Sequence, residues 1–446
     1  GFIMLNKRMK KIGSGILLAG LTLTTLAACG NASESNNSAA GASGTDEGAS
    51  GEVVEIDIFQ FKVEFKDQFE ALAKQYEAEN ENVKINIETV GGGSDYGAAL
   101  KSKFSSGNEP DIYNIGGPED VTMWLDNLTD LSDTEAANQA LEGTLTGATK
   151  DGKVLGLPYN IEGYGVVYNK AIFEEAGIDA TTIKTLTDLE EAAKTLDSKK
   201  EELGLDAPFA LAAKELWITG LHSGNAFLNA EFDNDVMKAF DSKTVEFKYG
   251  EQFQKYIDIS NKYSVQPANS LDYSQQIEQL FSNGKVAMTQ QGNWVYPTIA
   301  SVNPELAENI GLLPIPIDGV TEGTIPVGVP MYWGVNPNGS EAEVQASKDF
   351  LDYLYTTEEG KRIVLEDFKF VPAYKGYDTE KISDPLSKDV YTYYTEGNTT
   401  GWVFMGYPAG WGEQTLGAEI QKYVAGEATW AEVEEVAKAK WAEERE

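Results

Sequence analysis

From Val53 onward the apolar positions fall into short alternating runs separated by longer runs of helical spacing. Val54, Ile56 and Ile58 alternate with polar residues, which predicts a strand. Phe65, Phe69, Leu72, Ala73 and Tyr76 then recur at helical spacing, and Val83, Ile85 and Ile87 alternate again. This βαβ order implies a parallel sheet. A helix over about 96–104 and a third strand over 111–115 continue it. Between them Gly91-Gly92-Gly93 lacks the Gly-Lys-Ser/Thr ending of a phosphate cradle and reads as a tight loop at a cleft edge.

The same order resumes further on. Helices are expected over 171–176, stopped by Gly177; over 186–196, with Thr187 as cap; over 214–222, carrying Trp217 beside Glu215; around Phe253, Ile257 and Ile259; and over 273–281. The run from Gly284 to Trp294 reads as a buried strand ending in a polar turn, Gly292-Asn293-Trp294, that presents an indole. A strand over 310–317, helices over 341–355 and 358–368, and two helices from Gly417 broken at Gly426 complete the chain. At 446 residues it exceeds what one core serves, so two lobes are expected.

In open parallel sheets, ligands meet the loops beyond the carboxyl ends of the strands. That points to Gln60-Phe61-Lys62, to residues 91–96 and to Gly116-Gly117-Pro118-Glu119-Asp120. Glu119 and Asp120 read equally well as ligand groups and as an ordinary helix start, with proline and acids in the first turn. Residues 401–411 set Trp402, Phe404, Tyr407 and Trp411 among glycines and a proline, which suits neither a helix nor a central strand. They form either a loop that exposes aromatic faces to a ligand or a plug over the lobe interface.

Composition narrows the chemistry. A formal charge of −36, from 71 acidic against 35 basic residues, excludes nucleic acid and anionic lipid surfaces as ligands. One cysteine and one histidine rule out a Cys/His zinc site, and no Gly-x-Ser-x-Gly elbow accompanies His222. His222 is expected on a helix face without partners, and neither metal nor cofactor is expected. A glycosidase using two carboxylates, Glu162 with Asp120, stays open.

Lys7, Arg8, Lys10 and Lys11 followed by an apolar run over 16–26 form a targeting segment too short to span a bilayer. It ends Leu26-Ala27-Ala28-Cys29, which resembles the lipobox of bacterial lipoproteins. The resemblance implies a signal peptide over 1–28 and a lipid on Cys29. Residues 29–52, rich in Ser, Asn, Ala and Gly, read as a flexible tether.

Pro158-Tyr-Asn-Ile-Glu162-Gly-Tyr-Gly-Val-Val-Tyr-Asn-Lys170 reads as a loop carrying one carboxylate into a short strand at Val166 and Val167, where the chain crosses between lobes. With Gly284-Lys-Val-Ala-Met288 and Gly292-Asn-Trp294, it resembles the extracellular solute-binding proteins of sugar ABC importers, maltodextrin-binding proteins among them. The resemblance runs from the lipobox to the terminal helices. It implies a two-lobed periplasmic-binding-protein-like α/β fold, each lobe a mostly parallel sheet flanked by helices. It places an N-terminal lobe at 53–162 and 320–371 and a C-terminal lobe at 163–319 and 372–446, with a last crossing at Phe370-Val371-Pro372. It further implies a monomeric, lipid-anchored extracellular receptor that passes an oligosaccharide to an ABC permease and has no catalytic role. By the same resemblance Glu162 bonds sugar hydroxyls, Trp294 stacks on a sugar ring beside Asn293, and Tyr332 and Trp333 line the cleft. Sugars need stacking rings and paired polar groups; 8 Trp and 21 Tyr supply the rings. Gln60, Lys62, Glu119, Asp120, Trp217, Trp402 and Phe404 complete the candidates. Carboxylates with aromatics also hold cations, so a polyamine or peptide receptor remains the alternative.

Overall fold

The computed structural model describes residues 52–92 and 95–446. The expected signal segment, nearly all of the tether, Cys29, and Gly93 and Ser94 of the glycine loop lie outside the described residues. Along the chain the strands are β1 (Val54–Gln60), β2 (Val83–Thr89), β3 (Ile112–Ile115), β4 (Thr149–Lys150), β5 (Lys153–Val154), β6 (Leu157–Pro158), β7 (Glu162–Asn169), β8 (Phe209–Ala210), β9 (Met288–Gly292), β10 (Ile310–Leu313), β11 (Ile325–Gly328), β12 (Tyr332–Val335) and β13 (Thr399–Thr400).

The predicted βαβ unit forms as written. β2 and β3 lie parallel to either side of β1, and the helix Lys66–Glu79 buries Phe69, Leu72, Ala73 and Tyr76. β12 and β6 extend this sheet in the order β2-β1-β3-β12-β6, with β12 antiparallel to both neighbours. A second sheet runs β13-β11-β7-β9-β8, with β10 also on β7. β7 is antiparallel to β9, β10 and β11, so both sheets are mixed and the parallel ladders are confined to β2-β1-β3, β8-β9 and β11-β13.

The chain passes from one sheet to the other between β6 and β7 and back between β11 and β12. These passages and a third at Val371 are tied together: the Tyr159 N–H donates to the Met331 carbonyl at 3.1 Å and the Ile161 N–H to the Val371 carbonyl at 2.8 Å. Residues 325–328 remain in the second sheet, paired with β7 and β13, so the return falls at 329–331 rather than at 320.

β12 carries two of the expected cleft residues, and its alternation sends them to opposite faces. Trp333 is 1% exposed, stacks on Tyr159 at 4.1 Å and 18°, and donates its indole N–H to the Tyr355 hydroxyl at 2.8 Å. Tyr332 packs on Gly147 and Gly156, where an added Cβ would come within 2.8 and 2.7 Å of it. Both residues are core of the first half rather than cleft walls, because β12 is an interior strand covered on both faces.

The helix Leu186–Ser198 is capped by Thr185, not Thr187. The Thr185 hydroxyl accepts from the Asp188 N–H at 3.1 Å, and the Asp188 carboxylate accepts from the Thr185 N–H at 3.1 Å. Thr187 instead accepts a hydrogen bond from Lys255 at 2.9 Å on the surface. Thr185→Ala is therefore expected to lower the unfolding free energy by about 1 kcal/mol in urea titration, and Thr187→Ala by a few tenths. Equal effects would contradict this capping.

Candidate functional site

Where β1 ends and β7 begins, two loops meet. Gln60 is fully buried and organises its own loop. Its amide oxygen accepts from the Lys62 N–H and the Tyr159 hydroxyl, each at 2.7 Å, and its amide nitrogen donates to the Lys62 carbonyl at 2.9 Å and to Thr89 at 2.7 Å. The turn aims Lys62 across the crossing segments at Glu162, with which it forms an ion pair; the two side chains are 5% and 4% exposed. Burial pushes the Glu162 carboxyl above the ordinary carboxylate range, while Lys62 and Asn160 oppose the push. The Asn160 Oδ1 beside this pair is buried and has no hydrogen-bond partner. Glu64 of the same first-half loop accepts a hydrogen bond from the Tyr273 hydroxyl at 2.9 Å, a second contact between the halves.

Glu162 opens β7, where the sequence suggests a loop reaching a strand only at Val166. Tyr164 therefore shares a face with Glu162. Tyr164 stacks on His222 at 4.6 Å and 18°, and its hydroxyl donates to the His222 carbonyl at 2.6 Å. Around the imidazole stand Trp217 at 5.4 Å, Trp294 at 5.2 Å, Trp402 at 5.9 Å and Phe404 at 5.5 Å; Tyr273 packs edge-on to Trp217 at 5.2 Å. Trp217 and His222 are five residues apart, off-face in an α-helix. The Trp217–Ser223 segment is π-helical, and its wider turn brings both rings to one side. His222, expected to lack partners, is thus the hub of the aromatic cluster.

Hydrogen bonds fix most of these rings. Trp217 donates to Glu215 at 3.0 Å and Trp294 to Gln291 at 2.9 Å, which in turn donates to Gln276 at 2.9 Å. Trp402 lies on Gly328, where an added Cβ would come within 2.6 Å of the indole; its N–H is buried and unpartnered. Asn293 does not face the cluster. It holds β7, accepting from the Gly163 N–H at 3.1 Å and donating to Ser387 at 3.3 Å. The 401–411 segment is covered rather than open. Trp402 and Phe404 join the cluster, whereas Tyr407 packs on Trp411 and Trp411 against Trp441 at 4.8 Å, in the second-half core.

Burial among the rings pushes the His222 imidazole down from 6.5 to about 3. The folded pKa lies below the unfolded one, so the unfolded chain takes up the proton first. Stability from this group is present above about pH 6.5 and is lost as pH falls from there towards 3. Ring ¹⁵N NMR of this single histidine is expected to show the neutral form throughout a titration from pH 7 to about pH 5. A midpoint near 6.5 would contradict the burial.

Glu119 and Asp120 begin the helix Pro118–Trp124 and part company there. The Asp120 carboxylate accepts from the Gly116 N–H at 2.6 Å and serves its own turn. Glu119 reaches the second half, with the Arg445 guanidinium at 4.0 Å. Arg445 also donates to the carbonyls of Ala239 at 3.0 Å, Ser242 at 2.9 Å and Gly406 at 2.7 Å. Nearby Gly117 lies against Met405, a close approach that a side chain would block.

The fold therefore brings Lys62 and Glu162 together at the pivot and Trp217, Trp294, Trp402 and Phe404 together in one cluster. Glu119 lies at the edge between halves, while Gln60, Asp120 and Asn293 hold backbone and Tyr332 and Trp333 fill core. Tyr164, His222, Tyr273, Glu64 and Arg445 are additions. Tyr164 could have been found from its two-residue spacing to Glu162; the others have no local signal. Among the described residues no group of three or more His, Cys, Asp or Glu is placed to hold a metal ion, and no helix is long and apolar enough to cross a membrane.

Residues 71–390 match the family model for bacterial extracellular solute-binding proteins. An uncharacterised ABC transporter extracellular-binding protein of Pyrococcus horikoshii is 27% identical over 66% of this chain and 65% of its own, so this chain spans just under two thirds of that relative. The multiple sugar-binding protein of Streptococcus mutans is 25% identical over 86% of this chain and 88% of its own. The solved structure of RafE in complex with raffinose superposes with a TM-score of 0.72 at 20% identity, covering 88% of this chain and all of that one, a likeness of fold.

Proposed function

The chain belongs to the bacterial extracellular solute-binding proteins, and from that membership we propose that it is the lipid-anchored receptor of an ABC importer, closing on a neutral oligosaccharide and handing it to the permease. The observation that carries this reading is the aromatic cluster of Tyr164, Trp217, Trp294, Trp402 and Phe404 in one half, connected to the pivot through Tyr273, which packs on Trp217 and bonds Glu64, and through β7, on which Tyr164 shares a face with the Lys62 partner Glu162. Sugar C–H faces stack on such rings, and hydroxyls pair with charged and amide groups. The rings belong to the second half and Lys62 and Glu64 to the first, so rotation about the three tied crossings uncovers and re-covers the rings. A sugar ligand also agrees with the Streptococcus mutans relative being a multiple sugar-binding protein and with the raffinose held by RafE. Membrane attachment rests on Cys29.

The family is one of binding proteins, and the chain is a binding protein rather than a glycosidase. Glu162 is engaged by Lys62 and Asp120 by its own turn. For a polyamine, a carboxylate inside the cluster would be needed; Glu215, at its edge, accepts the Trp217 N–H.

A thermal-shift screen of the chain against raffinose, diacetylchitobiose, maltotriose, xylotriose, spermidine and short peptides tests the proposal, because a ligand of the folded state raises Tm by mass action. A shift with one or more sugars, without turnover, is expected. Shifts only with spermidine or peptides, or hydrolysis of a sugar, would overturn it.

A further inference from the structure

In the aromatic cluster the polar atoms are almost all in use. The Tyr164 hydroxyl bonds the His222 carbonyl and the Asn225 amide, the Trp217 indole bonds Glu215 and the Trp294 indole bonds Gln291. Two residues differ. The Trp402 N–H is buried without a partner, and among the described residues no side chain or backbone group bonds either ring nitrogen of His222. His222 is half-buried as a residue, and the face of its ring is held against Tyr164. An imidazole stacked on one ring and flanked by several others loses little freedom on meeting a ligand and presents its ring nitrogens in a fixed direction.

We propose that His222 is a specificity-determining residue: one of its unbonded ring nitrogens hydrogen-bonds a hydroxyl of the bound sugar, with the Trp402 N–H as a second donor to the same ligand. This rests on the sugar reading above. A neutral imidazole carries one donor and one acceptor nitrogen, so it can match a hydroxyl in either sense. Burial keeps the ring neutral at the working pH, which preserves that choice and adds no positive charge to the cluster. A group poised to bond a hydroxyl discriminates strongly against a ligand without one there, because its own polar atom is then buried unpaired.

The test uses the full chain, its His222→Phe and His222→Gln variants, and the sugar of the panel above that raises the wild-type Tm most. Phenylalanine keeps the stacked ring and removes both nitrogens; glutamine restores a donor and an acceptor. By calorimetry His222→Phe is expected to weaken binding roughly 10- to 100-fold, and His222→Gln to recover most of that loss. In the wild type the ring ¹⁵N signals are expected to move on saturation with the sugar. Unchanged affinity in His222→Phe together with unmoved ring signals would overturn the proposal while leaving the sugar reading intact. A wild type that binds no sugar of the panel overturns both. Should His222→Phe fail to fold, the wild-type ring signals decide alone: movement supports the proposal and its absence overturns it.

Discussion

Glu162→Leu is expected to lower the free energy of unfolding by about 3–5 kcal/mol, because it leaves the Lys62 ammonium buried without its anion. Lys62 is 4% exposed and Glu162 3%, so water cannot take the missing partner's place. The Phe61 and Phe370 rings, at 6.0 and 5.8 Å from the Lys62 nitrogen, offer only weak compensation. The paired replacement Lys62→Met with Glu162→Leu is expected to be close to neutral or stabilising, since both desolvation terms then vanish. Urea unfolding of the single and the double variant measures this. A single variant within about 1 kcal/mol of wild type would show that the pair is hydrated in solution. The double variant answers a second question. Its pivot has no carboxylate at 162, so retained sugar affinity would assign Glu162 to the hinge, and lost affinity in a stable protein would assign it to the ligand, as the family resemblance implies.

Trp294→Ala is expected to weaken sugar binding about 100-fold or more, through loss of a stacking face and loosening of the ring cluster around His222. The indole is also nearly buried, at 7% exposure, so the same change is expected to cost about 3 kcal/mol of stability. Trp333→Ala separates the two effects. Trp333 is 1% exposed in the first half, against Tyr159 and Phe69, and its loss is expected to cost about 3–5 kcal/mol while the folded fraction binds sugar as before. Calorimetry below the unfolding transition reads the affinity term, and urea titration the stability term. Equal losses of affinity in the two variants would remove Trp294 from the binding surface.

The regular elements of the chain were legible where a single period governs a segment. Val54, Ile56 and Ile58, then Phe69, Leu72 and Tyr76, lie on the strand and helix their spacing predicts. The pivot was legible too, since Pro158 and Glu162 mark the crossing and Val371 the third passage. Less visible was anything set by long-range pairing. Tyr332 and Trp333 look like cleft aromatics in a Gly/Pro-rich stretch, but β12 sits between β3 and β6 and buries both faces. Residues 325–328 read as first-lobe chain, yet their partners are Gly163 and Glu162 on one side and Thr399 and Thr400 on the other. Thr187 was the cap expected for the helix at 186, and the reciprocal bond with Asp188 gives that place to Thr185.

The candidate site was legible in its residue types and not in its assembly. Trp217, Trp294, Trp402 and Phe404 were all singled out, from three distant stretches, with no signal that they would share one neighbour. That neighbour, His222, carries no local signal, since nothing near it in sequence could use an imidazole. A π-helical turn and the return of the 401–411 segment supply its surroundings, and neither follows from local periodicity. Lys62 and Glu162 each read as ligand groups in the sequence, and their pairing follows from the Gln60 turn, which only the fold reveals.

The measurement that tests this account most directly is the crystal structure of the chain loaded with the sugar that shifts its Tm most. A sugar ring is expected in van der Waals contact with Trp294 and Trp402, with a hydroxyl within hydrogen-bonding distance of a His222 ring nitrogen and Lys62 still paired with Glu162. A sugar bound away from these rings, or one that breaks the Lys62–Glu162 pair to bond Glu162 while leaving His222 untouched, would contradict it.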